Sequence, residues 1–235
     1  MTKTLITGAN KGLGFETARR LLAAGHTVYV GARDPERGMR AAERLGARFV
    51  RLNVTDDVSV AAAVETIEAE GGLDVLVNNA GVEPRQADGG FVLPAATTAD
   101  DVRSVFETNV FGMVRVLHAF LPLLRRSANP VVVNVSSGLG HAPALADPAA
   151  PEHFYPGLAY PSSKAAVNML TVQYAKAFGD IRINAADPGF TATDLNHNQG
   201  TQTVEEGAEV IVRLARIDAD GPTGTFQNAA GVLPW

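Results

Sequence analysis

The sequence predicts an α/β domain of the doubly wound kind, a mostly parallel sheet with helices on both faces. Three observations carry that expectation. Short, nearly continuous apolar runs rich in β-branched residues alternate with helical segments, the pattern of strands buried on both faces of a parallel sheet. Each run ends in a turn that leads into the next helix. No repeat, linker or low-complexity tract divides the 235 residues, so one domain is expected over 1–235.

The elements follow in order. TLIT (4–7) is the first strand, and 13–24 is a helix with apolar side chains at 18, 21 and 22. Gly25 stops that helix in the manner of a glycine cap. HTVYVGA (26–32) is β-branched and aromatic, hence a strand. Asp34-Pro35 supplies an N-cap followed by a residue whose φ is already helical, and Gly46 ends this second helix. ARFVRLNV (47–54) is the third strand, and Thr55 is expected to open a helix that stops at Gly71-Gly72. LDVLVNNAG (73–81) runs from a strand into a glycine turn, with a long helical region after it to residue 126. Pro122 is expected to kink that region or start a new helix, because proline lacks the N–H a helix interior needs. PVVVNVSS (130–137) and IRINAADPG (181–189) are further strands, and Thr203 with Glu206 forms a capping box for a last helix. Segment 138–159 breaks the alternation: it holds four prolines and shows no usable periodicity. A loop that long inside a compact domain usually carries function.

Composition excludes several classes. A net charge of −5 with no segregated blocks argues against a general nucleic-acid or membrane-surface binder. The absence of cysteine excludes disulfides, a thiol nucleophile and thiolate-bound zinc. MTKTLITGAN has neither the basic nor the apolar region of a secretory leader, and no apolar run reaches the ~18 residues of a spanning helix. A cytoplasmic protein is the expectation.

The first strand–helix junction carries the first chemistry. In TGANKGLG (7–14), Gly8, Gly12 and Gly14 allow a tight turn and close approach of the backbone to a pyrophosphate at a helix N-terminus. With NNAG (78–81), VSS (135–137), YPSSK (160–164) and PG (188–189), in that order, this turn resembles the motif series of the short-chain dehydrogenase/reductase family. The resemblance runs from Thr7 to about Thr193, and the tail GPTGTFQNAAGVLPW is similar to that of carbonyl-reductase-like members. It implies a Rossmann-type sheet of about seven parallel strands in the order 3-2-1-4-5-6-7.

It also implies a nicotinamide dinucleotide. The expected binding set is Gly8, Asn10, Lys11, Gly12, Leu13 and Gly14 in the turn, Asn53 and Val54 at the adenine, and Asn79, Ala80 and Gly81 at the ribose. Pro188, Gly189, Thr191 and Thr193 meet the carboxamide end. Asn53 stands where the family more often has aspartate; an amide oxygen accepts the same bond. An NAD-preferring site needs a carboxylate at the end of the second strand, where this chain has Ala32 followed by Arg33. Arg33, Arg37 and Lys11 suit a 2′-phosphate and predict NADP(H), with Asp34 the one residue that complicates the reading.

The same resemblance assigns a reaction centre of Asn109, Ser137, Tyr160 and Lys164. Tyr160 and Lys164 lie four apart, on one helix face. A nearby ammonium, together with the positive charge of an oxidised nicotinamide, favours phenolate and would bring the ordinary pKa of ~10 toward neutrality. Lys164 would also hold the nicotinamide ribose, and Tyr160 belongs with it to the expected cofactor-binding set. Ser137, rather than Ser136, would bind the substrate oxygen, and Asn109 would support a water relay to Lys164. Ser162 and Ser163, between Tyr160 and Lys164, receive no role.

The expected reaction is reversible reduction of a ketone or aldehyde by NADPH. An NAD(H)-dependent alcohol dehydrogenase and a dinucleotide sensor without turnover are the alternatives; the intact Asn-Ser-Tyr-Lys set speaks against the sensor. A sugar-nucleotide epimerase is disfavoured by its shorter glycine spacing. His141, Phe154, Tyr155 and Phe190 are expected to line the substrate entrance. His141, Asp147, Glu152 and His153 match no metal-site spacing and are read as solvated, and Glu16, Arg19 and Arg20 as a polar helix face. The substrate itself is not legible, and neither is the choice between monomer, homodimer and homotetramer.

Overall fold

The computed structural model describes residues 1–86 and 89–235. In chain order the elements are β1 (Lys3–Thr7), α1 (Gly12–Ala23), β2 (Thr27–Ala32), α2 (Pro35–Leu45), β3 (Arg48–Arg51), α3 (Asp57–Ala69) and β4 (Val75–Asn78). The second half holds α4 (Ala99–Phe106), α5 (Gly112–Leu124), β5 (Val131–Val135), α6 (Ala142–Ala146), α7 (Ala159–Ala177), β6 (Arg182–Ala186), α8 (Val204–Leu214), β7 (Phe226–Asn228) and β8 (Gly231–Leu233).

The strands form one sheet in the order β3-β2-β1-β4-β5-β6-β7-β8. This is the implied order extended by one strand: β8 returns antiparallel on β7, where about seven parallel strands were expected. Trp235 then stacks on Phe226 at 5.8 Å and closes the sheet edge.

Successive strand residues feed opposite cores, as the two-residue period of a strand requires. Leu5 and Val132 join the cluster under α3 and α5, which contains Ile67, Val116 and Phe120. Ile6 and Val133 join the one under α1 and α8, which contains Leu21, Val210 and Ile211. Both clusters are nearly solvent-free, so the sheet is covered on both faces.

Local signals place several boundaries as expected. Asp34 caps α2 by accepting from the Arg37 amide at 3.1 Å, and Gly46 closes it with φ 67°. Thr203 and Glu206 form the reciprocal capping box at the start of α8.

Four expectations need correction. Asp56, not Thr55, caps α3, accepting from Val58 and Ser59, while Thr55 is bound to Asn53. The break in the 98–126 region falls at a π-helical stretch, Glu107–Phe111, and α5 continues through Pro122 to Leu124. Segment 138–159 is largely helical, with short turns at Gly138–Gly140 and Pro151–Phe154 on either side of α6. Glu16 is not on a polar face: it is buried in α1, which packs against α8, and Arg19 grips it with two hydrogen bonds of 2.8 and 2.6 Å.

Candidate active site

The glycine turn between β1 and α1 is shaped for close approach. Gly8 and Gly12 take φ 66° and 57°, a region open to glycine at little cost. A Cβ on Gly14 would lie 2.6 Å from Asn79 Nδ2 and 2.9 Å from the Gly8 carbonyl. Side chains cap α2, α3, α4 and α8, whereas α1 has no side-chain cap and no acidic residue in its first turn. Its first N–H groups therefore face outward at the positive end of the helix dipole, as an anion site requires. The residues present fit a dinucleotide pyrophosphate.

A buried polar chain ties this turn to the centre of the sheet. Thr7 Oγ1 accepts from the Asn79 and Ala80 amides, both at 2.9 Å, and Asn79 Nδ2 donates to the Thr7 carbonyl at 2.8 Å. Asn78 donates to Asn134 on β5, and Asn134 donates to Thr171 on α7, each at 2.9 Å. Asn79, Ala80 and Gly81 are thus held at the C-terminal end of β4, next to the glycine turn.

Of the residues expected at the adenosine end, Arg33 is exposed just beyond β2. Arg37 pairs with Asp34 at 3.5 Å. One oxygen of the Asp34 carboxylate accepts from the Arg37 amide in the α2 cap, and the other faces the Arg37 side chain. Lys11 reaches across to Asp194 at 2.9 Å, an exposed pair rather than an unengaged charge. Asn53 Oδ1 already accepts from Thr55 at 3.0 Å, and Val54 is buried with its carbonyl accepting from Arg115 at 2.7 Å. At the other end, Gly189 has φ 73°, and Thr191 is buried and accepts from Gln202 at 2.8 Å. Thr193 lies beside Gly12, and its amide donates to Asn196 at 3.2 Å. Pro188 offers its carbonyl to Thr191 at 3.2 Å. Asn10 and Leu13 are half-buried at the same junction.

The expected reaction-centre residues converge at the ends of β4 and β5 against the first turn of α7. Lys164 is buried, donates to the Val135 carbonyl at 2.8 Å, and lies 5.5 Å from the centre of the Tyr160 ring. Ser136 points away from the cleft, donating to Asn168 at 2.5 Å, which leaves Ser137 as the serine beside the phenol. Ser137 Oγ also accepts from the Leu139 amide at 3.1 Å.

Asn109 sits inside the π-helical stretch, a deformation common at functional sites. Its amide accepts from the Val82 N–H at 2.8 Å and donates to the Val82 carbonyl at 2.9 Å and Ser163 Oγ at 3.0 Å. Ser163 in turn donates to the Tyr160 carbonyl at 2.7 Å. Ser163 therefore has a place that sequence reasoning missed: it braces the α7 turn against Asn109. Its four-residue distance from Ala159, both on the buried face, was the available signal. Ser162 is exposed, and its hydroxyl donates to the Leu158 carbonyl of its own helix at 2.9 Å.

The chain's own groups act on Tyr160 in the direction opposite to the expected shift. Burial, then the Glu83 and Asp187 carboxylates, push the phenol up, and only Ser137 acts the other way. Lys164 is not what sets this balance, because its ammonium is directed to Val135 and burial itself lowers it to about 8. Between about pH 8 and the unfolded-lysine value of ~10.4, the unfolded chain holds a proton that the folded one has released. The contribution of Lys164 to folding stability should therefore rise with pH across that window, with the buried tyrosines Tyr155 and Tyr160 acting the other way only from about pH 10 upward. Urea unfolding of the native chain beside Lys164→Met checks this: the rise is expected in the native chain and missing in the variant.

Around the mouth, Phe154 and Phe190 are exposed, at 73% and 53%, while His141 is half-buried against Phe226. Glu152 is not solvated as expected; it lies over Gly138 beside the buried Asp187, where folding of the 138–159 segment brings it. Among the described residues, no group of three potential ligands is arranged for a metal ion.

The short chain dehydrogenase family matches residues 2–204. The chain belongs to that family. This dehydrogenase is 38% identical to the short-chain dehydrogenase anuI of Penicillium roqueforti over 225 residues, covering 90% of this chain and 87% of the relative. It is 29% identical to (+)-neomenthol dehydrogenase of Capsicum annuum, covering 94% of each. Among solved structures, it resembles NADPH-bound carbonyl reductase from chicken fatty liver with a TM-score of 0.86 at 28% identity, covering 100% and 99% of the two chains. Salutaridine reductase of Papaver somniferum gives a TM-score of 0.83 at 29% identity, covering 96% and 99%. The dehydrogenase is thus a carbonyl-reductase-like oxidoreductase of a family that uses a nicotinamide dinucleotide and small-molecule substrates. Among its described residues, no helix is long and apolar enough to cross a membrane.

Proposed function

We propose that this dehydrogenase reduces a ketone or aldehyde to an alcohol with NADPH, reversibly, with Tyr160 as the proton donor. The observation that carries this is the meeting of Tyr160, Ser137 and Lys164 beside the glycine turn, at strand ends that also present Gly81 and Asn109. When bound, the nicotinamide supplies the hydride and, once oxidised, a positive charge near the phenol. The remaining steps fall to the chain. Ser137 holds the carbonyl oxygen as negative charge develops on it. Tyr160 gives that oxygen its proton, and the raised proton affinity of its buried phenol keeps it in the acid form beforehand. Lys164 keeps one donor on Val135 and has two left for the ribose hydroxyls. Both donors of Asn109 are committed, so a water between it and Lys164 would donate to Asn109 Oδ1.

Preference for NADPH rests on Arg33, which is exposed where Ala32 leaves no carboxylate and Asp34 is turned into the α2 cap. Carbonyl reductase from chicken fatty liver, which this chain resembles throughout, binds the same cofactor. Steady-state rates with NADPH and NADH over a panel of aldehydes, ketones and quinones test both parts. Native preference for NADPH should fall by about tenfold in Arg33→Ala, the loss of one charge-assisted contact worth ~1.4 kcal/mol. A native preference for NADH would overturn the cofactor assignment, and dinucleotide binding without turnover would overturn the reaction.

A further inference from the structure

The mouth of the candidate site contains a closed circuit of side chains that the proposed reaction does not use. Glu83, two residues beyond the NNAG turn, and Arg85 form an ion pair at 3.0 Å with only 5% and 9% of their side chains exposed. The Tyr155 hydroxyl donates to the other Glu83 oxygen at 2.6 Å. Arg85 lies over the Phe91 ring at 3.8 Å, and the backbones of Arg85 and Phe91 meet in an antiparallel bridge. Phe91 closes the circuit edge-on against Tyr155 at 5.1 Å.

A buried ion pair is poor material for stability, because desolvation of both charges offsets most of their attraction. What this pair supplies is a carboxylate oxygen in a fixed place. Tyr155 is held there from every side. A Cβ on Gly157 would lie 2.7 Å from Tyr155 Cε1, so the ring packs on a position that only glycine leaves open. The crevice behind it, lined by Phe91, Leu158 and Tyr160, measures about 10 Å³, room for one water at most. Burial and Glu83 push the Tyr155 phenol up, so it stays a donor to Glu83 at any working pH. Its ring centre lies 6.5 Å from that of Tyr160.

We propose that Tyr155 is a specificity-determining residue, held by Glu83, Arg85 and Phe91 as a rigid wall beside Tyr160 that excludes carbonyls carrying bulk next to the reacting carbon. This rests on the carbonyl-reduction reading. The wall selects narrow carbonyl substrates, and truncating it widens the cleft while the Tyr160 backbone stays held through Ser163 and Asn109.

The test compares kcat/KM for a narrow ketone, cyclohexanone, and a bulky one, camphor, in the native chain, Tyr155→Phe and Tyr155→Ala. NADPH affinity is measured alongside. The ratio of camphor to cyclohexanone should rise about tenfold or more in Tyr155→Ala, within the range by which pocket bulk discriminates substrates. It should rise by a smaller factor in Tyr155→Phe, which keeps the ring and the ion pair but loses the bond to Glu83. NADPH affinity should not change. A ratio that stays constant while both rates fall together would make Tyr155 a structural residue only and overturn the inference. If Tyr155→Ala fails to fold, Tyr155→Phe decides alone, an unchanged ratio overturning the wall. Turnover of neither ketone by the native chain also overturns it; lack of turnover with any carbonyl overturns the reduction reading as well.

Discussion

Tyr160→Phe is expected to lower kcat/KM for carbonyl reduction by ~10²–10⁴-fold, the contribution of a positioned general acid. The substitution removes one oxygen and leaves the ring where it is. The α7 turn is held independently of the hydroxyl, through the Tyr160 carbonyl, Ser163 and Asn109. Lys164 is likewise held by Val135 rather than by the phenol. The loss should therefore fall mainly on kcat, with NADPH affinity changed by a much smaller factor, since the Tyr160 hydroxyl is only one of several expected contacts with the dinucleotide. Steady-state kinetics and a cofactor titration on the same preparation read both quantities. A phenylalanine variant that keeps its rate would contradict the assignment of the proton donor.

The second large effect is expected at the cofactor turn. Gly14→Ala places a methyl group 2.6 Å from Asn79 Nδ2 and 2.9 Å from both the Ala9 Cα and the Gly8 carbonyl. Two of those neighbours are backbone and cannot rotate aside. Overpacking of this kind costs ~1–3 kcal/mol. Because the strained atoms form the turn itself, relief comes by moving Gly8 and the Asn79 side chain from their places. NADPH affinity should then fall by ~10–100-fold, the same energy expressed in binding. Calorimetric or fluorescence titration checks this. A change at Gly25, whose added Cβ would meet nothing within 4 Å, is the matched control at a surface glycine, though its φ of 86° still strains any other residue.

Legibility in the sequence followed the range of the interactions. Asp34-Pro35 with Gly46, and Thr203 with Glu206, are local signals, and the structure uses them as expected. The buried strands were equally clear, because a two-sided core demands unbroken apolar runs. What could not be read depends on distant partners. The π-helical stretch at Asn109 exists where its amide meets Val82 and Ser163, residues 27 and 54 positions away. Glu16 looked like a surface acid until α8 packed over α1. The Tyr155–Glu83 bond joins residues 72 apart and gives no periodic signal. Thr55 and Asp56 are both good caps, and the choice was made by Asn53, which holds the threonine.

The site shows the same division. The glycine turn, Ser137 rather than Ser136, and Tyr160 with Lys164 were proposed from motif order. The direction of the Tyr160 shift was not, because it depends on carboxylates from two other segments, Glu83 and Asp187.

The most direct test of the account uses NADPH deuterated at the transferring position of the nicotinamide, incubated with the dehydrogenase and a ketone it accepts. Mass spectrometry of the alcohol should find one deuterium on the carbinol carbon, and none of this product should form with Tyr160→Phe on the same timescale. A chain that binds NADPH but yields no deuterated alcohol from any carbonyl offered would contradict the account.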